Sequence, residues 1–172
     1  MLDAAALLAD AQVQSICWNG TSSGWLGFDT DRALIAAIKA RTGVSACSSV
    51  LAMNEILETT SAKRIAFVTP YLPEIQTRIV ENYRAAGFDV VAERHLNDAG
   101  NYSFATYPAA QIKQMCLEVA AEKPDAIAIF CTNFRGAGIA HEVEEETGIM
   151  VLDSVSTALW KSMRVAGADP AR

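Results

Sequence analysis

The sequence is poor in the side chains that build metal and redox centres. It has two histidines, and its four cysteines, Cys17, Cys47, Cys116 and Cys131, include no C-x-x-C pair and no His at metal-ligand spacing. A zinc site is therefore not expected. Basic clusters are also missing: 14 Lys and Arg stand against 20 Asp and Glu, for a net charge of −6. That argues against nucleic acid and anionic membrane as partners. A small carboxylate held locally by backbone N–H groups stays compatible with it. No apolar run approaches the roughly 20 residues of a spanning helix. Met1-Leu2-Asp3 lacks the basic stretch that opens a secretory signal. Isolated cysteines fit a reducing cytoplasm.

What is present alternates. Short apolar runs are read as strands at residues 13–18, 44–47, 65–69, 90–93, 126–130 and 149–152. Helical patterns fall between them, at 4–11, 31–40, 49–58, 74–86, 108–122, 138–147 and 155–165. Such alternation predicts an α/β fold with parallel sheets. Asp29 or Thr30, Ser48 or Ser49, and Ser154 are candidate helix caps. Thr42-Gly43 and Thr147-Gly148 read as helix stops. Residues 95–106 form a polar loop long enough to suggest a functional role. The best lobe boundary is at residues 59–63.

The run from Ala126 to Phe130 is apolar throughout and leads into Cys131-Thr132-Asn133. A run of this kind reads as a strand covered on both faces. Ligands of open α/β sheets bind beyond the carboxyl ends of such strands. A thiol there, beside the free N–H groups of a helix start, is expected to favour its thiolate. Cys131 is thus the candidate catalytic group.

The two halves also echo each other. Strand, Gly20-Thr21-Ser22, helix, Thr42-Gly43-Val44, strand and Ser49-Val50 are answered by strand, Cys131-Thr132-Asn133, helix, Thr147-Gly148-Ile149, strand and Ser154-Val155. Facing units of this kind would set Gly20 opposite Cys131.

Three segments carry a resemblance: Asn19-Gly20-Thr21-Ser22-Ser23, the strand from Arg64 ending in Thr69-Pro70-Tyr71, and Cys131-Thr132-Asn133-Phe134-Arg135. Together they resemble the aspartate/glutamate racemase superfamily, in its maleate cis-trans isomerase and arylmalonate decarboxylase branch. The resemblance implies two Rossmann-like parallel-sheet lobes related by a pseudo-twofold axis, a site between them and no cofactor. It implies a first lobe at 1–61, completed by a C-terminal helix at 155–172, and a second lobe at 62–154. It also implies Cys131 as the catalytic residue, with Thr21, Ser22, Tyr71, Asn101 and the Thr132 backbone binding a small (di)carboxylate. Family members normally begin with a further strand–loop–helix unit, so an incomplete first lobe is expected.

Isomerases and racemases of the superfamily usually carry a thiol in both lobes, whereas here the first-lobe position is Gly20. One thiol serves decarboxylation of a malonate-type acid or cis-trans isomerisation through addition to a double bond. An amino-acid racemase using Cys47 as second base, a non-catalytic small-molecule-binding module and an inactive fragment are the alternatives. The residues leave self-association into a homo-oligomer open.

Overall fold

A computed structural model describes residues 1–170. Its centre is β3 (Arg64–Thr69) beside β5 (Ala126–Ile129). From Ile65 to Val68 and from Ala126 to Ile129 every side chain is buried. Helices cover both faces here, and this is why these runs are apolar without alternation. β4 (Asp89–His95) and β6 (Met150–Asp153) flank them, giving a parallel sheet in the order β4-β3-β5-β6. A second parallel pair joins β1 (Ile16–Trp18) to β2 (Ala46–Ser48), with Cys17 opposite Cys47.

Among the described residues there are eight α-helices: α1 (Leu2–Asp10), α2 (Ser23–Leu26), α3 (Asp29–Thr42), α4 (Ser49–Thr59), α5 (Pro73–Ala85), α6 (Ala109–Ala120), α7 (Ala137–Thr147) and α8 (Ser154–Val165). The last of them returns from the four-stranded sheet to pack on α4, β1 and β2. The expected C-terminal helix therefore ends at Val165, and residues 171 and 172 fall outside the described part. Among the described residues no helix is long and apolar enough to cross a membrane.

An aromatic cluster fixes the helices to the main sheet. Phe67 lies edge-on to Tyr83 and Phe130, at 4.8 and 5.5 Å between ring centroids. Phe28, just before α3, meets Tyr83 at 5.1 Å. Such edge contacts add about 0.5–1.5 kcal/mol each beyond area burial. Phe28 thus holds the α2–α3 segment against α5.

The repeated segments form the same local bonds. Gly43 and Gly148 both end their helices in the left-handed region, at φ 74° and 69°. Thr42 Oγ1 accepts from the Val44 N–H and donates to the Ile38 carbonyl; Thr147 does the same with Ile149 and Val143. Ser49 Oγ donates to the Gly20 carbonyl at 2.8 Å, and Ser154 Oγ to the Ile129 carbonyl at 3.1 Å.

The caps differ from expectation in two places. Phe28 stands at the N-cap of α3, and Thr30 Oγ1 donates back to the Gly27 carbonyl. At α8 the cap is Asp153, whose carboxylate accepts from the Val155 and Ser156 N–H groups, because the Ser154 hydroxyl is spent on Ile129. At α4 the cap is Ser48, one of the two expected. The one-turn α2 falls between the helices expected at 4–11 and 31–40, where the sequence pattern predicts none. Its carbonyl at Gly24 is held by Asn82 Nδ2 of α5, a contact distant in sequence.

Candidate active site

The carboxyl ends of four strands converge on one cavity of about 520 Å³. β1 runs into the loop of Gly20, Thr21 and Ser22. β3 delivers Tyr71, β4 the loop carrying Asn101, and β5 Cys131 and Thr132. All six residues expected from the sequence, Thr21, Ser22, Tyr71, Asn101, Cys131 and Thr132, line this cavity. The strand-end rule for open α/β sheets explains the convergence. Cys47 does not line it; that thiol faces a separate cavity with Glu55 and Lys161. The arrangement supplies no second base from Cys47 on the far side of a substrate in the Cys131 cavity.

Cys131 is 3% exposed. Burial pushes its thiol above the ordinary range, and the nearby Asp153 carboxylate pushes the same way. The Tyr71 hydroxyl and the Asn133 and Phe134 N–H groups oppose this without overcoming it. The expected thiolate preference is thus reversed at rest. Burial is the main reason, and position adds to it: α7 begins at Ala137, six residues beyond Cys131, so the N–H groups at the thiol belong to a turn rather than to a helix end. The turn supplies two donors but no macrodipole. At neutral pH the group is a neutral thiol, able to give a proton.

Tyr71 is buried between two rings, with Trp25 at 5.3 Å and Phe104 at 5.5 Å, both edge-on. Its hydroxyl shares a 2.7 Å hydrogen bond with Thr21 Oγ1. Burial holds the phenol protonated, and the adjacent Cys131 sulfur adds to the effect. The pair joins the loop after β1 to the loop after β3 across the cavity. Thr21 therefore does not cap α2. Ser22 holds the N-cap position there, with no side-chain capping bond.

Asn101 is fixed from both sides. Asn133 Nδ2 donates to its side-chain oxygen at 2.8 Å and to its carbonyl at 3.2 Å. The loop behind it is tied by Asp98, whose carboxylate accepts from the Gly100 N–H, the Ser103 hydroxyl and the Tyr107 hydroxyl. These donors hold the Asp98 carboxyl below its usual range, with Ser103 the largest influence. Tyr107 in turn packs edge-on to Phe134 at 5.8 Å. The clasp of Asn133 on Asn101 was not foreseen, because the two residues lie 32 positions apart in sequence.

Gly20, which lines the same cavity as the thiol, lies under the Trp18 indole. A Cβ at Gly20 would stand 2.6 Å from the ring. No side chain fits there without moving Trp18. The loop after β1 thus carries no thiol at this position, which is covered by a tryptophan. Trp18, Trp25, Ile75 and Phe104 give the cavity an apolar wall, and Thr21, Ser22 and Asn101 a polar one.

Among the described residues no group of three or more His, Cys, Asp or Glu side chains is arranged to hold a metal ion. Comparison with known proteins then decides the family. The arylmalonate decarboxylase family model matches residues 1–172.

The chain belongs to the arylmalonate decarboxylase family.

It is similar to the maleate isomerase of Nocardia farcinica, with 28% identity over 118 residues, 68% of this chain and 47% of that protein. It is similar also to the arylmalonate decarboxylase of Bordetella bronchiseptica, with 25% identity over 151 residues, 86% of this chain and 63% of that protein. The chain spans about half to just under two thirds of these curated relatives. Among solved structures, a crystal structure of arylmalonate decarboxylase superposes with a TM-score of 0.87 at 23% identity, covering 98% of this chain and 77% of that one. A Cys-to-Ser variant of Nocardia farcinica maleate cis-trans isomerase, carrying a covalently bound succinylcysteine intermediate, superposes with a TM-score of 0.88 at 23% identity, over 97% of this chain and 71% of that one. These likenesses fix the fold as the parallel-sheet α/β type expected from the sequence.

Proposed function

We propose that this chain carries the thiol-bearing site of an enzyme that decarboxylates a substituted malonate, with Cys131 as the proton donor. The observation that supports this most is the state of Cys131. It is a buried neutral thiol at a strand end, in a cavity with hydroxyl donors on one side and Gly20 beneath Trp18 on the other. Loss of CO2 from a malonate leaves an enediolate, with negative charge on the retained carboxylate. The Thr21, Ser22 and Tyr71 hydroxyls and the Thr132 backbone N–H are the groups assigned to stabilise that charge. The Cys131 S–H then delivers its proton to the carbon, and the thiol regains a proton from solvent. The wall of Trp18, Trp25, Ile75 and Phe104 suits an apolar substituent on that carbon. Asn101 is assigned to the carboxylate at the rim.

Maleate isomerisation is the second reading, supported by the 28% identity to a maleate isomerase. The related isomerase structure contains a succinylcysteine. On that route a Cys131 thiolate adds to the cis double bond, the new single bond rotates, and elimination returns the trans acid. It requires the thiolate, which burial here disfavours. Either route uses no cofactor on this reading, and cytoplasmic placement is part of the same proposal.

The test is direct. The protein is incubated with phenylmalonate and, separately, with maleate, and products are followed by proton NMR. Conversion of phenylmalonate to phenylacetate, absent in Cys131→Ala, is the expected result. Conversion of maleate to fumarate alone would favour the second reading, and conversion of neither would remove both substrates from the proposal.

A further inference from the structure

A second pair of thiols lies outside the Cys131 cavity. Cys17 on β1 and Cys47 on β2 are direct register partners in the parallel pair. Paired positions of neighbouring strands lie about 4.7–4.9 Å apart, and disulfides bridge Cα separations of roughly 4.4–6.8 Å. Paired residues of parallel strands present their side chains to the same face, so the register sets the two thiols side by side. Both cysteines are free.

Each of the two residues also borders a cavity. Cys17 lines a cavity of about 140 Å³ and Cys47 another of about 200 Å³. Either volume accepts a molecule as small as a peroxide. The two sulfurs differ in kind. Cys47 lies 3.5 Å from Ser162 Oγ, and Lys161, itself paired with Glu55, is close enough to act on it. Hydrogen bonding from Cys17 lowers Cys47 most, with Ser162 and Lys161 adding to it and burial and Glu55 opposing. Cys17 is raised, first by that same bond and then by burial, with Asp31 adding a smaller push. The Ser162 hydroxyl and the Lys161 ammonium both lie on the Cys47 side of the pair, which favours Cys47 as the nucleophile.

From the strand register, the Ser162 hydroxyl beside Cys47 and the two cavities, we infer that Cys17 and Cys47 form a peroxide-reactive pair that closes reversibly to a disulfide. The Cys47 thiolate attacks one oxygen of hydrogen peroxide. The O–O bond breaks, and hydroxide leaves and is protonated to water, so Cys47 becomes a sulfenic acid. The Cys17 sulfur then attacks the Cys47 sulfur. The S–O bond breaks and a second water leaves with the Cys17 proton. Two thiols give up two electrons and the peroxide takes them. The link would tie β1 to β2 one residue before Trp18, at the wall of the other site. This inference does not depend on the proposed reaction.

The experiment uses the full chain, fully reduced, then treated with a small excess of hydrogen peroxide and quenched by alkylation under denaturing conditions. Intact mass should fall by two hydrogens before alkylation, and a non-reducing peptide map should join the peptides of Cys17 and Cys47. Dithiothreitol should restore both thiols. Cys17→Ser should stop at the sulfenic acid, with Cys47 labelled by dimedone. If that variant does not fold, the wild-type map still decides. Oxidation of Cys131 or Cys116 ahead of this pair, oxygen added to Cys47 without a cross-link, or four intact thiols would each overturn the inference.

Discussion

The loop after β1 and the loop after β5 rest on closely matching scaffolds and present opposite chemistry. In both, a threonine and a left-handed glycine end the following helix, and a serine hydroxyl grips a backbone carbonyl near the strand end. One loop then offers the Cys131 thiol. The other offers Gly20, closed over by Trp18. The difference teaches that repeated local geometry holds the two strand ends, while a few side chains decide what each end can do. On the proposed reading, a thiol at one loop and an indole over the other would make a one-sided proton donor. A second base, such as a two-base racemase requires, has no room at Gly20.

The comparison can be broken most strongly at the thiol itself. Cys131→Ala should lower turnover of the accepted substrate by about 10²–10⁴-fold, the usual worth of a positioned proton donor. The far-UV circular dichroism should be unchanged. An active Cys131→Ala protein would mean that the two loops do not differ in the way described.

Tyr71→Phe comes next. It removes the hydroxyl shared with Thr21 and directed at the sulfur. Loss of one preorganised donor costs up to about 10²–10³-fold in kcat. Steady-state kinetics should show kcat falling by more than KM rises. An effect confined to KM would make Tyr71 a wall residue.

On the opposite loop the expected effect is on stability. A methyl at Gly20 collides with Trp18, and overpacking of this kind costs about 1–3 kcal/mol. Gly20→Ala should therefore lower the urea midpoint. Trp18→Ala in the same chain should recover part of that loss, because the two positions touch. Additive losses would show that Trp18 does not cover Gly20 in solution.

The smallest effect expected is that of pH. A thiol raised above its ordinary value of about 8.5 stays protonated throughout pH 6–8. A proton-donor Cys131 therefore contributes no slope to log kcat in that range, and activity falls only as pH rises through the raised pKa. A required thiolate would instead give a rate rising about tenfold per pH unit. The pH profile thus separates the decarboxylase reading from the isomerase reading.

Much of this was legible in the residues. The strands at 65–69 and 126–130 stood out because a strand buried on both faces has to be apolar along its length. Of the six residues that line the cavity, Cys131 stood out by its place at a strand end, and Thr21, Ser22, Tyr71, Asn101 and Thr132 followed from the resemblance. Other features depend on contacts that no local pattern carries. The turn of α2 exists because Asn82 and neighbouring helices hold it. The clasp of Asn133 on Asn101 spans 32 residues. The indole of Trp18 over Gly20 is set by how the chain turns after β1. The protonation of Cys131 was misjudged because the strand-end rule predicts nearby N–H groups, while the depth of burial follows only from the assembled fold.

One measurement bears on the central claim more directly than the rest. A prochiral substituted malonate, such as methylphenylmalonate, is converted in D2O, and the product is examined for deuterium content and configuration. A single thiol facing a closed wall predicts one deuterium at the former malonate carbon and one predominant enantiomer, with no turnover in Cys131→Ala. A racemic product formed by the wild-type protein would contradict the one-sided site.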